Sequence, residues 1–363
     1  MIAVIFGGLS AEHDVSVLTG LQAGRVLHDA GHEVQLIYWT KQSKFELVEQ
    51  GAEADAFVAP DRGFRAVSFS IPEGFVEQSR MRKQALPVEL VLNCCHGGPG
   101  EEGVLEGLLR LAGLRVTGPS QVASAICMDK LASTAAAELL GVDSIPSMVF
   151  DPTDSSSSPP FPAPWVAKPR FGGSSLGVEV GVEDTQTLRS LASIGSARGG
   201  LIVQPYLDGW IDLNVSVRSY PDHQVSEIER PEVTGVYDYS TKYLSGADGM
   251  ESAPRELPAN LPAPITQTVK ESALKIARGL QLTGAPRIDF MWDGDGSVLF
   301  NEINPIPGAF GLYLWNASGV TRERFLLDLL DEARSGPIVS PSWSDSSDGA
   351  ALRAAGSIAG KLT

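Results

Sequence analysis

Residues 287–304 read Arg-Ile-Asp-Phe-Met-Trp-Asp-Gly-Asp-Gly-Ser-Val-Leu-Phe-Asn-Glu-Ile-Asn. Two runs rich in β-forming residues flank the Asp-Gly-Asp-Gly segment, a pattern that is typical of a β-hairpin. Because side chains alternate along a strand, we expect Arg287, Asp289 and Met291 to share one face of the first strand.

The second strand of this hairpin carries the remaining polar groups. The same alternation places Phe300, Glu302 and Asn304 on one face. If that face coincides with the face of Asp289, two carboxylates and an amide oxygen converge beside Arg287. Oxygen ligands of this kind suit Mg²⁺ bound together with substrate phosphates. The fragment alone is equally compatible with an exposed hairpin whose charges are solvated.

A second pattern combines a lysine with a glycine- and serine-rich loop. Lys168 lies in a predicted strand, Trp165–Pro169, and the segment Arg170–Gly177 follows it. Such a loop lets backbone N–H groups approach phosphate oxygens. It differs from the P-loop of NTPases because the lysine precedes the glycines. Taken alone, a segment of this composition is more often an ordinary turn.

The N-terminal part of the chain alternates strands, glycine turns and helices. Ile2–Phe6 and Glu33–Tyr38 are predicted strands, Val15–Ala30 is a predicted helix, and the apolar run Val88–Cys95 follows a polar segment. This alternation predicts a parallel sheet covered by helices, with ligands beyond the carboxyl ends of the strands.

Polar side chains follow two of these strands. Glu12 and His13 come after the first strand, and His96 comes after the later apolar run, before a helix expected to open at Glu101. Because lone histidines are more often structural, we assign His13 mainly to orientation and His96 more to substrate.

The rest of the chain contains two long helices, several short strands and a long polar loop. Helices are predicted from Ser120 through Asp129 to Leu140 and at Ala263–Leu280, and a strand at Leu201–Tyr206. The polar loop, residues 231–256, contains Tyr-Asp-Tyr-Ser-Thr-Lys-Tyr at 237–243. This heptapeptide fits either a solvated loop held by ring contacts or a lid that brings a cation to bound substrate.

Composition restricts the classes of function. The length of 363 residues predicts more than one domain. The net charge of −16 would repel a phosphate backbone, so nucleic acid is not an expected partner. Three cysteines, two of them adjacent, argue against a disulfide framework and favour the cytoplasm. No apolar run is long enough for a bilayer, so no membrane association is expected.

Together these motifs resemble those of the D-alanine:D-alanine ligase family of the ATP-grasp superfamily. The resemblance runs from Met1 to about Glu332. It is carried by GGLSAEHDVS at 7–16, HGGPGEEGVLEGLL at 96–109, MDK at 128–130, KPRFGGSSLG at 168–177, YDYSTKY at 237–243, RIDF at 287–290 and NEINPIPG at 301–308.

The resemblance implies an α/β chain with the ATP-grasp fold, α+β in its ATP-binding part. It has a parallel-sheet domain at the N-terminus and holds ATP between two antiparallel sheets. The implied divisions are an N-terminal substrate-binding domain at 1–119, a central ATP-grasp domain at 120–207, a C-terminal catalytic domain at 208–335 with a lid at 231–256, and a flexible tail at 336–363.

The implied activity is ATP-dependent ligation of a carboxylate to an amine. ATP would phosphorylate the carboxylate, and the amine would then attack the acyl phosphate, releasing ADP and phosphate. The implied cofactors are ATP and two Mg²⁺ ions, with Mn²⁺ as a possible substitute. The implied partners are small amino-acid-like substrates and a second copy of the chain.

Roles for individual residues follow from the same resemblance. ATP would be bound by Lys130, Lys168, Ser174, Ser175, Gln204, Tyr206, Leu207, Asp212 and Lys242. The two metal ions would be held by Asp289, Glu302 and Asn304, and the oxyanion by Arg287 and the backbone N–H of Gly308. The substrates would contact Glu12, His96, Ser174, Tyr237, Tyr243, Phe310 and Tyr313, with Glu12, Ser174 and Tyr243 also taking part in catalysis.

Three departures from the family pattern stand out. Gln204 and Asp212 replace glutamates on the adenine and ribose sides. Leu312 and Tyr313 stand where a histidine and a serine that binds the second D-alanine are usual. With Phe310 and Trp315, these two either enlarge an apolar acceptor pocket or pack as core.

These departures leave alternatives to a D-alanine:D-alanine ligase open. The first is a relative from specialised metabolism that uses another amine acceptor or closes a ring within one substrate. The second, less favoured, is a nucleotide-binding protein without catalysis, because binding alone needs no oxyanion hole.

Overall fold

The computed structural model describes residues 1–58, 63–71, 73–78, 83–194, 199–232, 254–336, 349 and 352–353. These residues form one eight-stranded sheet, two four-stranded sheets and a two-stranded ribbon, with helices packed between them. The predicted lid residues Tyr237, Lys242 and Tyr243, and most of the tail, lie outside the described residues. Within the ranges given, no helix combines the length and the apolar character that a bilayer span requires.

The first sheet is mixed. Its strands are β1 (Ile2–Gly7), β2 (Val34–Trp39), β3 (Phe45–Val48), β4 (Arg65–Ser70), β5 (Gly74–Gln78), β6 (Lys83–Ala85), β7 (Leu90–Asn93) and β8 (Arg115–Val116), in the order β6-β5-β4-β3-β2-β1-β7-β8. Strands β2, β1, β7 and β8 are parallel, as predicted. The predicted parallel strands are therefore present, and the polar segment after β2 adds the antiparallel strands β3 to β6 to the same sheet.

Helices cover the parallel part of this sheet. They are α1 (His13–Asp29), α2 (Gly98–Glu101) and α3 (Val104–Leu111). The helix expected to open at Glu101 is therefore two helices, and Glu101 ends the first of them.

The second sheet is antiparallel and contains β9 (Met148–Phe150), β10 (Trp165–Pro169), β11 (Glu179–Val182) and β12 (Leu201–Pro205), in the order β11-β10-β12-β9. Helix α6 (Thr185–Ala192) packs on this sheet through Leu188, whereas α4 (Gln121–Met128) and α5 (Lys130–Leu139) pack against the third sheet. The single helix predicted from Ser120 to Leu140 is wrong. Asp129 is extended, and its side chain accepts hydrogen bonds from the first N–H groups of α5, so it ends one helix and begins the next.

The third sheet is also antiparallel. It contains β13 (Ile211–Arg218), β14 (Gln224–Val225), β17 (Arg287–Trp292) and β18 (Val298–Asn304), in the order β14-β13-β17-β18. Strands β15 (Arg230–Pro231) and β16 (Arg255–Glu256) form the ribbon at the two ends of the predicted lid. Helix α7 (Ala263–Gly279) packs on this sheet, whereas α8 (Leu312–Ala317) and α9 (Arg322–Ser335) bury side chains in the core of the first sheet. The predicted hairpin of β17 and β18 is confirmed.

The largest apolar core joins the first sheet to the C-terminal end of the described chain. Phe310, Leu312, Trp315 and Phe325 are buried, and they pack in one cluster with side chains of β1, β7 and α1. Of the two alternatives for Phe310, Leu312 and Trp315, the structure therefore supports packing as core.

Candidate active site

A cavity of about 520 Å³ is lined by residues of the second and third sheets and by the segments that follow β1 and β7. The predicted site residues that line it are Glu12, His96, Lys130, Lys168, Ser174, Ser175, Gln204, Tyr206, Leu207, Asp212, Arg287, Asp289, Glu302, Asn304, Gly308 and Tyr313. Phe310 is not among the lining residues. The cavity is also lined by Glu101, Asn214, Arg255 and Asn301, which sequence analysis did not select.

Strand β17 presents a rigid ion pair to the cavity. The guanidinium of Arg287 donates to both carboxylate oxygens of Asp289, at 2.7 Å each, and the amide of Asn304 donates to one of them at 3.0 Å. Burial alone would lower the pKa of Arg287, but the charge and hydrogen bonds of Asp289 raise this pKa well above its usual value. Arg287 therefore remains a cation.

A β-bulge changes which residues of β18 face the cavity. Asp289 pairs with Glu302, whereas the next residue, Phe290, pairs with Phe300, so Asn301 is the extra residue. Strict alternation wrongly placed Phe300 beside Glu302, since Phe300 is buried in the core behind the sheet. The bulge lets Asn301 line the cavity together with Glu302 and Asn304.

Two lysines approach this strand, Lys168 from β10 of the second sheet and Lys130 from the start of α5. The Lys168 ammonium donates to Oδ1 of Asn301 at 3.0 Å. Lys130 Nζ donates to the backbone oxygen of Gly172 at 2.6 Å and lies 3.7 Å from Oε2 of Glu302. Burial lowers the pKa of Lys168 from 10.5 to about 8, although the nearby Glu302 carboxylate opposes this effect.

The glycine- and serine-rich loop is anchored where it leaves β10. Arg170 donates to both carboxylate oxygens of Asp129, at 2.8 and 2.6 Å, and the backbone N–H of Lys130 donates to the oxygen of Arg170. This bidentate pair connects the loop to the N-terminus of α5. Lys130 is thereby held against the loop, and the break in the predicted helix has a structural role.

The same loop reaches the first sheet at Glu12. The hydroxyl of Ser174 donates to a carboxylate oxygen of Glu12, which is nearly buried. A Cβ on Gly173 would lie 2.8 Å from the other oxygen of Glu12, and a Cβ on Gly97 would lie 2.6 Å from it. Only glycine permits such approaches, so the two loops close around this carboxylate.

The residues that the resemblance places on the adenine and ribose sides lie at the end of β12 and the start of β13. Gln204 is buried, and its amide donates to the hydroxyl of Ser147 at 2.8 Å. Tyr206, Leu207 and Asp212 line the same end of the cavity.

Tyr313 lies in a cluster that sequence analysis missed. Its hydroxyl donates to Oε2 of Glu229 at 2.7 Å, and Asn214 donates to the same oxygen at 3.1 Å. Arg255 lies 3.2 Å from the other Glu229 oxygen and 4.3 Å above the tyrosine ring. Burial, reinforced by the Glu229 charge, raises the pKa of Tyr313 well above its usual value. The hydroxyl is therefore already committed as a donor.

His96 is tied to the protein through both ring nitrogens. Nδ1 lies 2.8 Å from the backbone oxygen of Ile306, and Nε2 lies 2.7 Å from Oγ1 of Thr19. Burial lowers the pKa of His96 to about 4, so the ring is neutral at physiological pH. His13 is bound similarly, to the Gly8 oxygen and the Tyr38 hydroxyl.

The carboxylate and amide oxygens of the cavity suit a hard cation only when further ligands complete the coordination shell of the metal. In the part of the chain that is described, no three His, Cys, Asp or Glu side chains form a self-contained metal site. Asp289, Glu302 and Asn304 supply two carboxylates and an amide along one wall. Such a partial set matches Mg²⁺, which is usually bound through one or two carboxylates plus substrate phosphates.

Comparison with known proteins identifies the family. Residues 1–119 match the family described as D-ala D-ala ligase N-terminus, and residues 156–331 match that described as D-ala D-ala ligase C-terminus. The chain belongs to the D-alanine–D-alanine ligase family. The D-alanine–D-alanine ligase of Anaeromyxobacter sp. (strain K) is 30% identical over 311 residues, which cover 85% of this chain and 87% of the relative.

Solved structures agree with this family. The VanG D-Ala:D-Ser ligase of Enterococcus faecalis superposes with a TM-score of 0.72 at 25% identity, covering 92% of this chain and 98% of that one. The D-alanyl-alanine synthetase A of Vibrio cholerae, at 20% identity and with the same coverage, has a TM-score of 0.75 and supports the fold alone. The predicted ATP-grasp fold is confirmed. The chain is an ATP-dependent ligase that forms a carbon–nitrogen bond, and its family uses ATP with a divalent metal.

Proposed function

We propose that this ligase joins the carboxylate of one amino acid to the amine of a second substrate through an acyl phosphate. One observation carries the proposal. A cationic wall of Lys130, Lys168 and Arg287 and the oxygen donors of β17 and β18 share one cavity with the Glu12–Ser174 pair. Phosphate, metal and amino-acid groups can therefore be bound side by side.

In this proposal the lysines bind the phosphates of ATP. Lys130 and Lys168 lie beside the Arg170–Gly177 loop and strand β18, and Ser174 and Ser175 of that loop have left-handed backbones. Gln204, Tyr206, Leu207 and Asp212 bind the base and sugar, and Lys242 adds a charge from the lid. Asp289, Glu302 and Asn304 hold two Mg²⁺ ions, or Mn²⁺ in their place, which neutralise phosphate charge during transfer.

The first substrate is oriented by its ammonium group. Glu12 receives the ammonium, and Ser174 holds the Glu12 carboxylate in place. A carboxylate oxygen of this substrate attacks the γ-phosphorus of ATP, and the bond from that phosphorus to ADP breaks. The amine of the second substrate then attacks the acyl carbon, forming a tetrahedral oxyanion that collapses with loss of phosphate.

The oxyanion is stabilised by Arg287 and the backbone N–H of Gly308, which both line the cavity. The bidentate bond to Asp289 fixes the Arg287 guanidinium before the substrate arrives. No reorganisation is then needed as the negative charge develops. His96, Tyr237 and Tyr243 complete the substrate contacts in this proposal.

The second substrate is the point at which this chain differs from a D-alanine–D-alanine ligase. We propose an amine other than D-alanine, because the Tyr313 hydroxyl donates to Glu229 and is not available to a small carboxylate. Leaving that carboxylate unpaired in a dry site costs about 1–3 kcal/mol. The D-Ala:D-Ser ligase of Enterococcus faecalis, a structural relative, is a precedent for a changed acceptor.

We also propose a cytoplasmic homodimer. Helix α3 supports the dimer, because it exposes Val104, Leu108 and Leu111 at helical spacing. Three buried free cysteines support a reducing compartment.

The test is release of ADP and phosphate by the purified protein with Mg²⁺, ATP and single or paired amino acids, with the product identified by mass. We expect ADP release that depends on both substrates, and a product whose mass equals their sum less water. No ADP release with any pair would reject the proposal. Efficient use of D-alanine as both substrates would reject only the changed acceptor.

A further inference from the structure

A chain of hydrogen bonds connects the first sheet to the segment that follows β18. The backbone N–H of Ile306 donates to Oε1 of Glu101 at 2.9 Å, and that of Gly97 donates to Oε2 at 2.6 Å. On the other side of the segment, the N–H of Ala309 donates to Oγ1 of Thr19 at 3.2 Å. Glu101 and Thr19 are 5% and 3% exposed, so both bonds are shielded from water.

The donor and acceptor of every hydrogen bond in this network follow from the groups available. The oxygen of Ile306 can only accept, so His96 carries its proton on Nδ1 and donates to it. His96 Nε2 must then accept, and the Thr19 hydroxyl donates to it. The Thr19 oxygen remains free to accept from Ala309. Each of these buried donors and acceptors has a hydrogen-bond partner, and only one assignment of the protons makes this possible.

The segment held in this way has a strained backbone. Ala309, Phe310 and Gly311 follow one another with φ values of 47°, 56° and 60°. Left-handed conformations cost roughly 1–2 kcal/mol for each residue other than glycine, so this turn requires support from its surroundings. Phe310 supplies part of that support by packing into the core, and the bonds to Glu101, His96 and Thr19 supply the rest.

We propose that Glu101 is a positioning residue that aims the backbone N–H of Gly308 at the reacting carbonyl. Gly308 lies between the two points where the segment is held, Ile306 and Ala309, and it lines the cavity. Glu101 and Thr19, on helices that flank the first sheet, thereby align a backbone N–H group of the C-terminal part of the chain. This inference rests on the proposed function, which gives Gly308 its role.

The decisive variant is Glu101→Gln, which preserves volume but replaces one acceptor with an NH₂ group. Two backbone N–H groups point at this side chain, so one of them would face another donor. The matched control is Glu106→Gln. Glu106 is a buried carboxylate of α3 that pairs with Arg110 and makes no bond to the 306–309 segment.

The kinetic test separates the two chemical steps. Acyl phosphate formation is followed by positional isotope exchange in ¹⁸O-labelled ATP, and ligation is followed by product formation. We expect Glu101→Gln to lower ligation by about 10²-fold, since a displacement near 1 Å has such an effect. ATP affinity and isotope exchange should change little, and Glu106→Gln should resemble the wild type. Equal loss of both steps would overturn the inference.

A second measurement does not depend on activity. Amide hydrogen exchange at Ile306, Gly308 and Ala309 should increase in Glu101→Gln, and also in Thr19→Val, which removes a hydroxyl with little change of shape. It should not increase in Glu106→Gln. Unchanged exchange in both variants overturns the inference, whatever the protein catalyses. If amide exchange is faster in the variants but the wild-type protein ligates no substrate, the positioning role of Glu101 is supported and the proposed function is rejected.

Discussion

Lys168 allows a test in which stability and activity change in opposite directions. In the ligand-free chain Lys168 is 6% exposed, and its ammonium donates to the neutral Oδ1 of Asn301. We predict that Lys168→Met stabilises the ligand-free protein at neutral pH while abolishing most of its ATP-dependent activity. Methionine replaces the stem of the lysine without a charge that must be desolvated.

The expected gain in the free energy of unfolding follows from the lowered pKa of Lys168. Lowering the pKa of Lys168 from 10.5 to about 8 corresponds to about 3 kcal/mol against the folded state at neutral pH. The variant also leaves Oδ1 of Asn301 without this donor, at a cost of about 1–2 kcal/mol. The net expectation is therefore an increase of ~1–2 kcal/mol in the free energy of unfolding.

The pH dependence has a definite sign. Below about pH 8 both the folded and the unfolded chain hold the Lys168 proton, so the wild type bears the whole penalty. As the pH rises from about 8 towards 10.5, the folded state releases this proton and the penalty shrinks. The advantage of Lys168→Met should disappear across this window and become a small deficit, because the Asn301 bond is still missing.

The measurement is urea unfolding in EDTA without nucleotide, near pH 7 and again near pH 10. Lys275→Met, at an exposed position of helix α7, is the control and should be close to the wild type at both values. A Lys168→Met protein that is less stable than wild type near pH 7 would refute the reasoning. So would a gain that is the same at both pH values.

Three further variants test the proposed roles one at a time. Glu302→Gln should lower ADP release at least 10²-fold with little change in the free energy of unfolding, because it removes a carboxylate charge that is proposed to hold the metal ions. Near-normal turnover would contradict the metal assignment. Lys242→Ala should slow phosphoryl transfer in single-turnover assays more than it weakens ATP binding, because a lid acts mainly when closed; an unchanged rate would make residues 237–243 an ordinary loop. Tyr313→Ser should raise kcat/KM for D-alanine as acceptor, relative to larger amines, by roughly 10-fold; an unchanged ratio would separate Tyr313 from acceptor choice.

Local patterns predicted much of the fold because they depend on neighbours in sequence. The hairpin of β17 and β18 followed from its turn residues and alternation, and strand β10 was predicted at its observed bounds. Helix α7 begins at Ala263 as predicted and ends one residue early, at Gly279. In each of these, propensity and hydrophobic period indicate the same structure.

The missed features depend on contacts between distant residues. The bulge at Asn301 is set by the register of β18 against β17, which no periodicity reveals. Glu229 and Arg255 are far apart in sequence and meet only because the ribbon of β15 and β16 pairs. Glu101 looked like a helix-terminal carboxylate, yet its partner, Ile306, lies 205 residues away.

The electrostatics of the cavity explain how a chain of net charge −16 can bind an anion such as ATP. Its cations are held by acidic groups: Arg287 by Asp289, Arg255 by Glu229, and Lys130 near Glu302. The carboxylates Asp289 and Glu302 are also those proposed to hold the metal ions. Arrival of metal with ATP therefore exchanges partners in one event, since the phosphates pair with the lysines while the metal replaces Lys130 at Glu302 and binds Asp289 beside Arg287. ATP alone would leave the Glu302 carboxylate uncompensated, and metal alone would compete with Lys130, so each ligand should strengthen the binding of the other by the same factor.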